Sequence, residues 1–247
     1  MHADNSFITL TYRDDNLPPH GNLIKKDFQL FMKRLRKHFS HIKIRYYHCG
    51  EYGAQFKRPH FHACLFGLDF LDKIFFKELN GQATFTSATL EVLWPQGFAL
   101  IGDVTFDSAA YIARYIMKKI NGEQAERHYE TVSETTGEII QMNPEYTTMS
   151  RGGKDGHGIG STWFEKYKKD IYPDNFVVLK GKKMKPPRYY QQRYEIENPE
   201  AYKALQKKNK AFNKKHKSDS TPERLAVREQ CKIAQLKTLP RNYENGT

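Results

Sequence analysis

Two alternating runs joined by a short loop constrain this chain most: "HIKIRYYHCGEYG" (His41 to Gly53) and "RPHFHACLFG" (Arg58 to Gly67). Alternation sends successive side chains to opposite faces of a strand, and the short link makes the two runs antiparallel neighbours. In the second run Phe61, Ala63 and Leu65 point one way, and His60, His62, Cys64 and Phe66 the other. A core explains the first set at once. The histidine face needs a reason of its own.

Neutral imidazole is a common metal ligand, and two of them one strand-step apart can share one divalent ion. A third ligand is required. Glu51 closes the preceding strand and lies across the short loop. Two histidines and a carboxylate leave open positions on a metal, which is what a catalytic centre needs. Two plainer readings compete. A bare His-x-His pair more often lines a wet sheet face. Alternatively Cys49, which shares the face of Glu51, forms a structural zinc site with His60, His62 and Cys64, although such sites usually show CxxC-type spacing.

"FITLTY" (Phe7 to Tyr12) reads as a strand and "DDNLPPHGN" as a loop. "KKDFQLFMKRLRKHF" sets Phe28, Phe31, Met32, Leu35 and Phe39 at helical spacing, with Lys and Arg between them. A helix or two is expected between Leu68 and Leu93, and a strand over "GFALIGDVTF". Residues 123–145 are polar, with a hairpin expected to turn at Thr136-Gly137. "MSRGGKDGHGIGS" is a glycine-rich loop, and Thr221-Pro222 opens a helix in a basic tail. The order strand, helix, strand, strand, helix, strand, helix gives an α+β domain with an antiparallel sheet and helices on one face.

"SAAYIARYIMKKI" (Ser108 to Ile120) is the other informative stretch, a helix with Asp107 or Ser108 as its expected N-cap. On a helical wheel Ala109, Ile112, Ala113, Ile116 and Ile120 gather on one face, and Tyr111, Tyr115 and Lys118 on the opposite one. Isoleucine and alanine then supply the core, and the tyrosines are free for chemistry. Two surface tyrosines stacked on a neighbour are the plain alternative. A phenol is a poor nucleophile at its ordinary pKa, and a metal or a lysine beside it lowers that pKa.

Composition selects the substrate. The formal charge is +12 over 247 residues, with 13% aromatics, and such a basic, aromatic-rich chain most often meets nucleic acid. Three cysteines without a CxxC pair fit a reducing compartment, and neither a membrane span nor a secretory leader is read from the sequence. Tyrosines, a two-histidine metal site and a basic surface point to transesterification at a DNA phosphate.

These stretches resemble the HUH endonuclease superfamily, in particular the rolling-circle replication initiators of microviruses of the gokushovirus type. "FITLTY" resembles the first family motif, "RPHFHACLFG" the histidine–hydrophobe–histidine motif and "YIARYIMKK" the two-tyrosine motif. "MSRGGKDGHGIGSTWFEKY" and "PPRYY" resemble blocks of the phage group. Taken in order, the motifs cover most of residues 6–195; the first of them stands near residue 6, where relatives carry a cysteine-containing segment before it, so a shortened N-terminus is the expectation.

The resemblance implies an RRM/ferredoxin-like antiparallel sheet with helices packed on it (the HUH endonuclease fold) over residues 1–195, and a basic helical extension over 196–247. It implies nicking of single-stranded DNA at a phage origin, with a 5′-phosphotyrosine intermediate and a free 3′-OH that primes synthesis. Tyr111 and Tyr115 would be the nucleophiles and Lys118 the cationic helper. His60, His62 and Glu51 would hold Mg²⁺ or Mn²⁺, and Thr9, Thr11, Lys119 and Arg151 would contact DNA. The place of action would be the host bacterial cytoplasm, with a host helicase and polymerase open as further partners and neither membrane nor small-molecule substrate. The competing readings are a non-catalytic single-strand binder on an RRM-like fold, and an HUH relaxase or transposase.

Overall fold

The computed structural model describes residues 2–53, 56–79, 81–133, 135–152, 157–172 and 174–238, with the backbone alone for 115–118. The chain divides into two compact units between Arg151 and Gly152.

In the first unit β1 (Asn5–Tyr12) leads to α1 (Lys25–His38), β2 (Arg45–Tyr52), β3 (Pro59–Phe66), β4 (Ile74–Leu79), β5 (Gln82–Thr86), α2 (Ala88–Leu93), β6 (Gly97–Gly102) and α3 (Phe106–Lys118). The short α4 (Glu123–His128), β7 (Glu130–Val132), β8 (Ile139–Gln141) and β9 (Tyr146–Met149) follow. Among the described residues, seven strands form one antiparallel sheet in the order β4-β5-β6-β1-β3-β2-β9. Its middle, β6-β1-β3-β2 with α1 and α2 in the connections, is the ferredoxin-like βαββαβ arrangement. The expected α+β fold with helices on an antiparallel sheet is therefore present, and β7 and β8 form the expected hairpin across Thr136-Gly137.

One face of the sheet is covered by α1 and α2. Ile8, Leu10, Phe61, Ala63, Leu65, Ala99 and Ile101 meet Phe28, Phe31, Leu35, Leu90 and Trp94 there, all buried. Burying each large side chain of this cluster contributes about 1.5–3 kcal/mol. Trp94 places its ring edge-on to Tyr12 and Phe61 at 5.3 and 5.7 Å, and its indole N–H donates to the Thr11 carbonyl at 2.8 Å. The opposite face carries α3, which packs on β2, β3 and β9. Helices thus lie on both faces, not on one as expected.

Two further expectations change. Residues 68–93 hold a β-hairpin, β4-β5, ahead of α2 rather than helices alone. Ile74, Phe75 and Phe76 are exposed on this edge, so no buried stripe imposes a helical or a strand period. The N-cap of α3 is Thr105, which forms a capping box with Ser108: Thr105 Oγ1 accepts from the Ser108 N–H at 3.1 Å, and Ser108 Oγ accepts from the Thr105 N–H at 2.8 Å.

The second unit holds α5 (Ser161–Ile171), a hairpin of β10 (Val177–Leu179) and β11 (Lys182–Met184), α6 (Arg188–Glu197), α7 (Pro199–Lys215) and α8 (Pro222–Lys237). Phe164, Ile171 and Tyr172 share a small core with Leu205 of α7, joined by Trp163, Tyr190, Tyr194 and Tyr202. The compact unit therefore runs across residue 195, because α5, α6 and α7 bury one another. Trp163 stacks on Tyr190 at 5.5 Å, and Thr221 caps α8 as expected.

Candidate metal centre

The residues singled out on β2 and β3 meet because the register aligns them: Glu51 faces His60, and Cys49 faces His62. Across β3, His60 faces Thr11 and His62 faces Thr9 of β1. Directly opposed residues of an antiparallel pair share a face, so these side chains form two rows on the α3 side of the sheet.

Glu51, His60 and His62 are all buried and offer one ligand atom each within 4.8 Å of one another. Glu51 Oε1 lies 2.9 Å from His60 Nε2 and 3.0 Å from His62 Nε2. Burial works against the charged carboxylate, but hydrogen bonds from the two imidazoles and their charge outweigh it, and the Glu51 pKa is held down at about 2. The outer nitrogens are anchored as well. His60 Nδ1 donates to the Arg58 carbonyl at 3.0 Å, since a carbonyl can only accept. His62 Nδ1 lies 2.9 Å from Thr9 Oγ1. Such outer contacts fix the ring orientation that a metal-binding histidine needs.

The donor set fits a divalent cation. Both Nε2 atoms and Oε1 converge on one point, and the buried Glu51 Oε2 has no hydrogen-bond partner among the described residues. No cysteine joins the cluster among the described residues. Burial pushes the Cys64 thiol up to about 12, which disfavours the thiolate a zinc ligand requires.

The wheel grouping of α3 divides differently in the fold. Tyr111 and Ile112 are both buried, with Phe7, Cys49 and Cys64, whereas Ala113 is exposed. The sheet-facing stripe centres on Ser108, Tyr111 and Ile112, so Tyr111 belongs to the buried face and not to an outer one. Its ring lies edge-on to His62 at 5.1 Å, and its hydroxyl donates to Glu51 Oε1 at 3.2 Å. The side chains of Tyr115 and Lys118 lie outside the described residues, as does Gly153 of the glycine-rich loop.

Of the expected DNA contacts, Thr9 is engaged with His62, and Thr11 is largely buried with Oγ1 toward the Phe98 carbonyl. Lys119 and Arg151 are exposed, and the Arg151 carbonyl accepts from Arg45 at 3.5 Å. The positioning role of Thr9 was not read from the sequence. Its signal is present all the same: a Thr-x-Thr strand whose alternation matches the His-x-His strand.

Fold and cluster together define an α+β protein with a candidate divalent-metal centre on the α3 face of its sheet. Residues 5–120 belong to the replication-associated protein ORF2 family. Over 225 residues the chain is 34% identical to replication-associated protein VP4 of Bdellovibrio phage phiMH2K, covering 87% of this chain and 65% of that protein. It is 35% identical over 206 residues to replication-associated protein ORF2 of Spiroplasma virus 4, and 26% identical over 198 residues to ORF4 of Chlamydia phage 1. These alignments cover 78% and 76% of this chain and 58% and 45% of the two relatives. The chain thus spans less than two thirds of the length of each of these relatives. No solved structure matches it. No described helix is long and apolar enough to cross a membrane.

Proposed function

We propose that this chain is a metal-dependent, site-specific nickase and strand transferase for single-stranded DNA, which initiates and ends rolling-circle replication of a small phage genome in the host cytoplasm. One observation carries the reading. The Tyr111 hydroxyl is 3.2 Å from the same carboxylate oxygen that lies 2.9 and 3.0 Å from two histidine nitrogens. A phenol oxygen and a three-ligand metal centre thus share one atom's neighbourhood.

His60, His62 and Glu51 would hold Mn²⁺ or Mg²⁺. Two imidazole nitrogens favour Mn²⁺ over the harder Mg²⁺. The bound ion supplies Lewis-acid polarisation of a phosphate oxygen. The chain's own part is nucleophilic. The Tyr111 or Tyr115 oxygen attacks the scissile phosphorus, and a tyrosine–phosphate ester forms as the bond to the 3′ oxygen breaks. The phenol loses its proton, and the departing 3′ oxygen takes one up. One ester replaces another, so the step is reversible, and the second tyrosine can repeat it on a regenerated origin. Lys118 would neutralise charge on the phosphate, Lys119 and Arg151 would hold the strand, and Thr9 would steady His62.

The test is a denaturing gel of the protein with end-labelled single-stranded origin DNA and Mn²⁺, with and without EDTA. A metal-dependent covalent band is expected. It should fall by ~10³-fold or more when Tyr111→Phe and Tyr115→Phe are combined. His60→Ala/His62→Ala should abolish it. DNA binding that persists in EDTA, with neither nick nor adduct in Mn²⁺, would leave a non-catalytic single-strand binder instead.

A further inference from the structure

β6 runs on the far side of β1 from the histidines, and the register places Phe98 opposite Thr11, itself opposite His60. The three residues form one row across the sheet, on the face of the metal cluster. Two inter-strand spacings put Phe98 about 10 Å from His60. Phe98 is 60% exposed, whereas its neighbours Gly97 and Ala99, turned to the other face, are buried. Its place is fixed by Gly97, where an added Cβ would run into the Thr11 carbonyl and the Arg13 N–H. α3 covers β2 and β3 and does not reach this corner.

Phe98 also lines a cleft of about 740 Å³ that includes Thr11, Arg58 and Pro59, immediately before His60. Phe56, 75% exposed, and Tyr129 add aromatic surface to it. Asp14, Glu130 and Glu145 line it too, and these carboxylates repel a phosphate but accept the N–H groups of a base edge. The exposed cation beside the cleft stands on the platform itself: the Arg13 guanidinium lies 5.5 Å from the Phe98 ring centroid. Aromatic surface inside, carboxylates around it and a cation at its edge suit a nucleotide entering base first with its phosphate outside.

We propose that Phe98 is a stacking platform for one unpaired base beside the scissile phosphate, with the cleft receiving that base and Arg13 holding its phosphate. The proposal rests on the single-stranded DNA reading above and deepens it: the nucleobase in this cleft sets the distance along the strand at which the phosphate meets the metal centre. Stacking on an aromatic ring tolerates any base, so it acts as a register stop more than a code.

The experiment is an abasic scan in EDTA. Single strands of the origin, each lacking one base, are bound to the full chain and read by fluorescence anisotropy. One position near the nick should lose roughly 10-fold in affinity when its base is absent. Phe98→Ala and Phe98→Leu should each lose a similar factor on intact DNA and become insensitive to that position, and Phe98→Tyr should behave as wild type. The exposed side chain makes unfolding an unexpected result, and Phe98→Leu keeps apolar bulk on the strand should alanine loosen it. Abasic effects that persist unchanged in both variants, or no sensitive position near the nick, would overturn the proposal. Nicking in Mn²⁺ is scored on the same strands. Nicking without Phe98-dependent stacking sinks this inference alone, and stacking without nicking sinks the enzymatic reading alone.

Discussion

The two faces of the sheet are built from alternate residues of the same strands and have opposite characters. On the α1 side, Ile8, Leu10, Phe61, Ala63 and Leu65 are fully buried among aromatic rings. On the α3 side the intervening positions are Phe7, Thr9, Thr11, His60, His62 and Cys64, with Glu51 and Tyr111 completing a buried polar cluster. The first face gains free energy from apolar burial. The second is buried too, but its polar atoms are held by each other, by Thr9 and by the Arg58 carbonyl. Stability and chemistry are thus separated by one step along the strand. A core on one side makes it possible to keep a carboxylate and two imidazoles dry on the other.

The separation can be broken most severely at Phe61, which sits between the two histidines and faces away from them. Phe61→Ala should cost about 3–5 kcal/mol in urea unfolding. Tyr111→Phe removes one hydroxyl and should cost only about 1 kcal/mol. Equal losses in the two variants would mean that the faces do not divide the work.

The apolar face has one polar exception, His48, which is stacked on Phe28 at 3.6 Å and bonded through Nδ1 to Thr148. Burial drives its pKa down to about 3; the hydrogen bond with Thr148 opposes the shift and Lys25 adds to it. The unfolded chain takes up this proton near 6.5, so stability is full above that pH and falls as the pH drops toward 3. Glu51 adds its own loss between its ordinary 4.5 and about 2. Between pH 6.5 and 4.5, then, a decline of roughly 2–3 kcal/mol belongs to His48, and urea titrations of His48→Gln across that window should show it flattened.

The chemical face is sharpened by a smaller effect. Mn²⁺ at 100 times its dissociation constant should add about 2.7 kcal/mol of stability, seen as a rise in melting temperature. Glu51→Gln should abolish the rise, and Cys49→Ser should leave it in place. A rise that survives Glu51→Gln and fails in Cys49→Ser would restore the cysteine-containing site.

Much of this was legible in the residues. Alternation placed His60 and His62 together and opposite Phe61, because a strand has one period and the side-chain faces follow from it. Helical spacing found α1, and the Thr221-Pro222 signal found the start of α8. Glu51 was reachable as well, since a short loop between antiparallel strands fixes which residues face each other. The β4-β5 hairpin was missed although Asn80-Gly81 stands between its strands, a dipeptide favoured in tight turns. Its apolar residues are exposed, so periodicity had nothing to report.

The sequence by itself determined which residues alternate, which lie on one helical stripe, and hence that two imidazoles and a carboxylate meet on one face. Only the tertiary structure decided which stripe of α3 faces the sheet, that Tyr111 reaches Glu51, that Thr9 steadies His62 and that Phe98 stays uncovered in their row. The reason is physical. A period fixes side-chain directions within one element, whereas burial depends on which other element arrives to cover them.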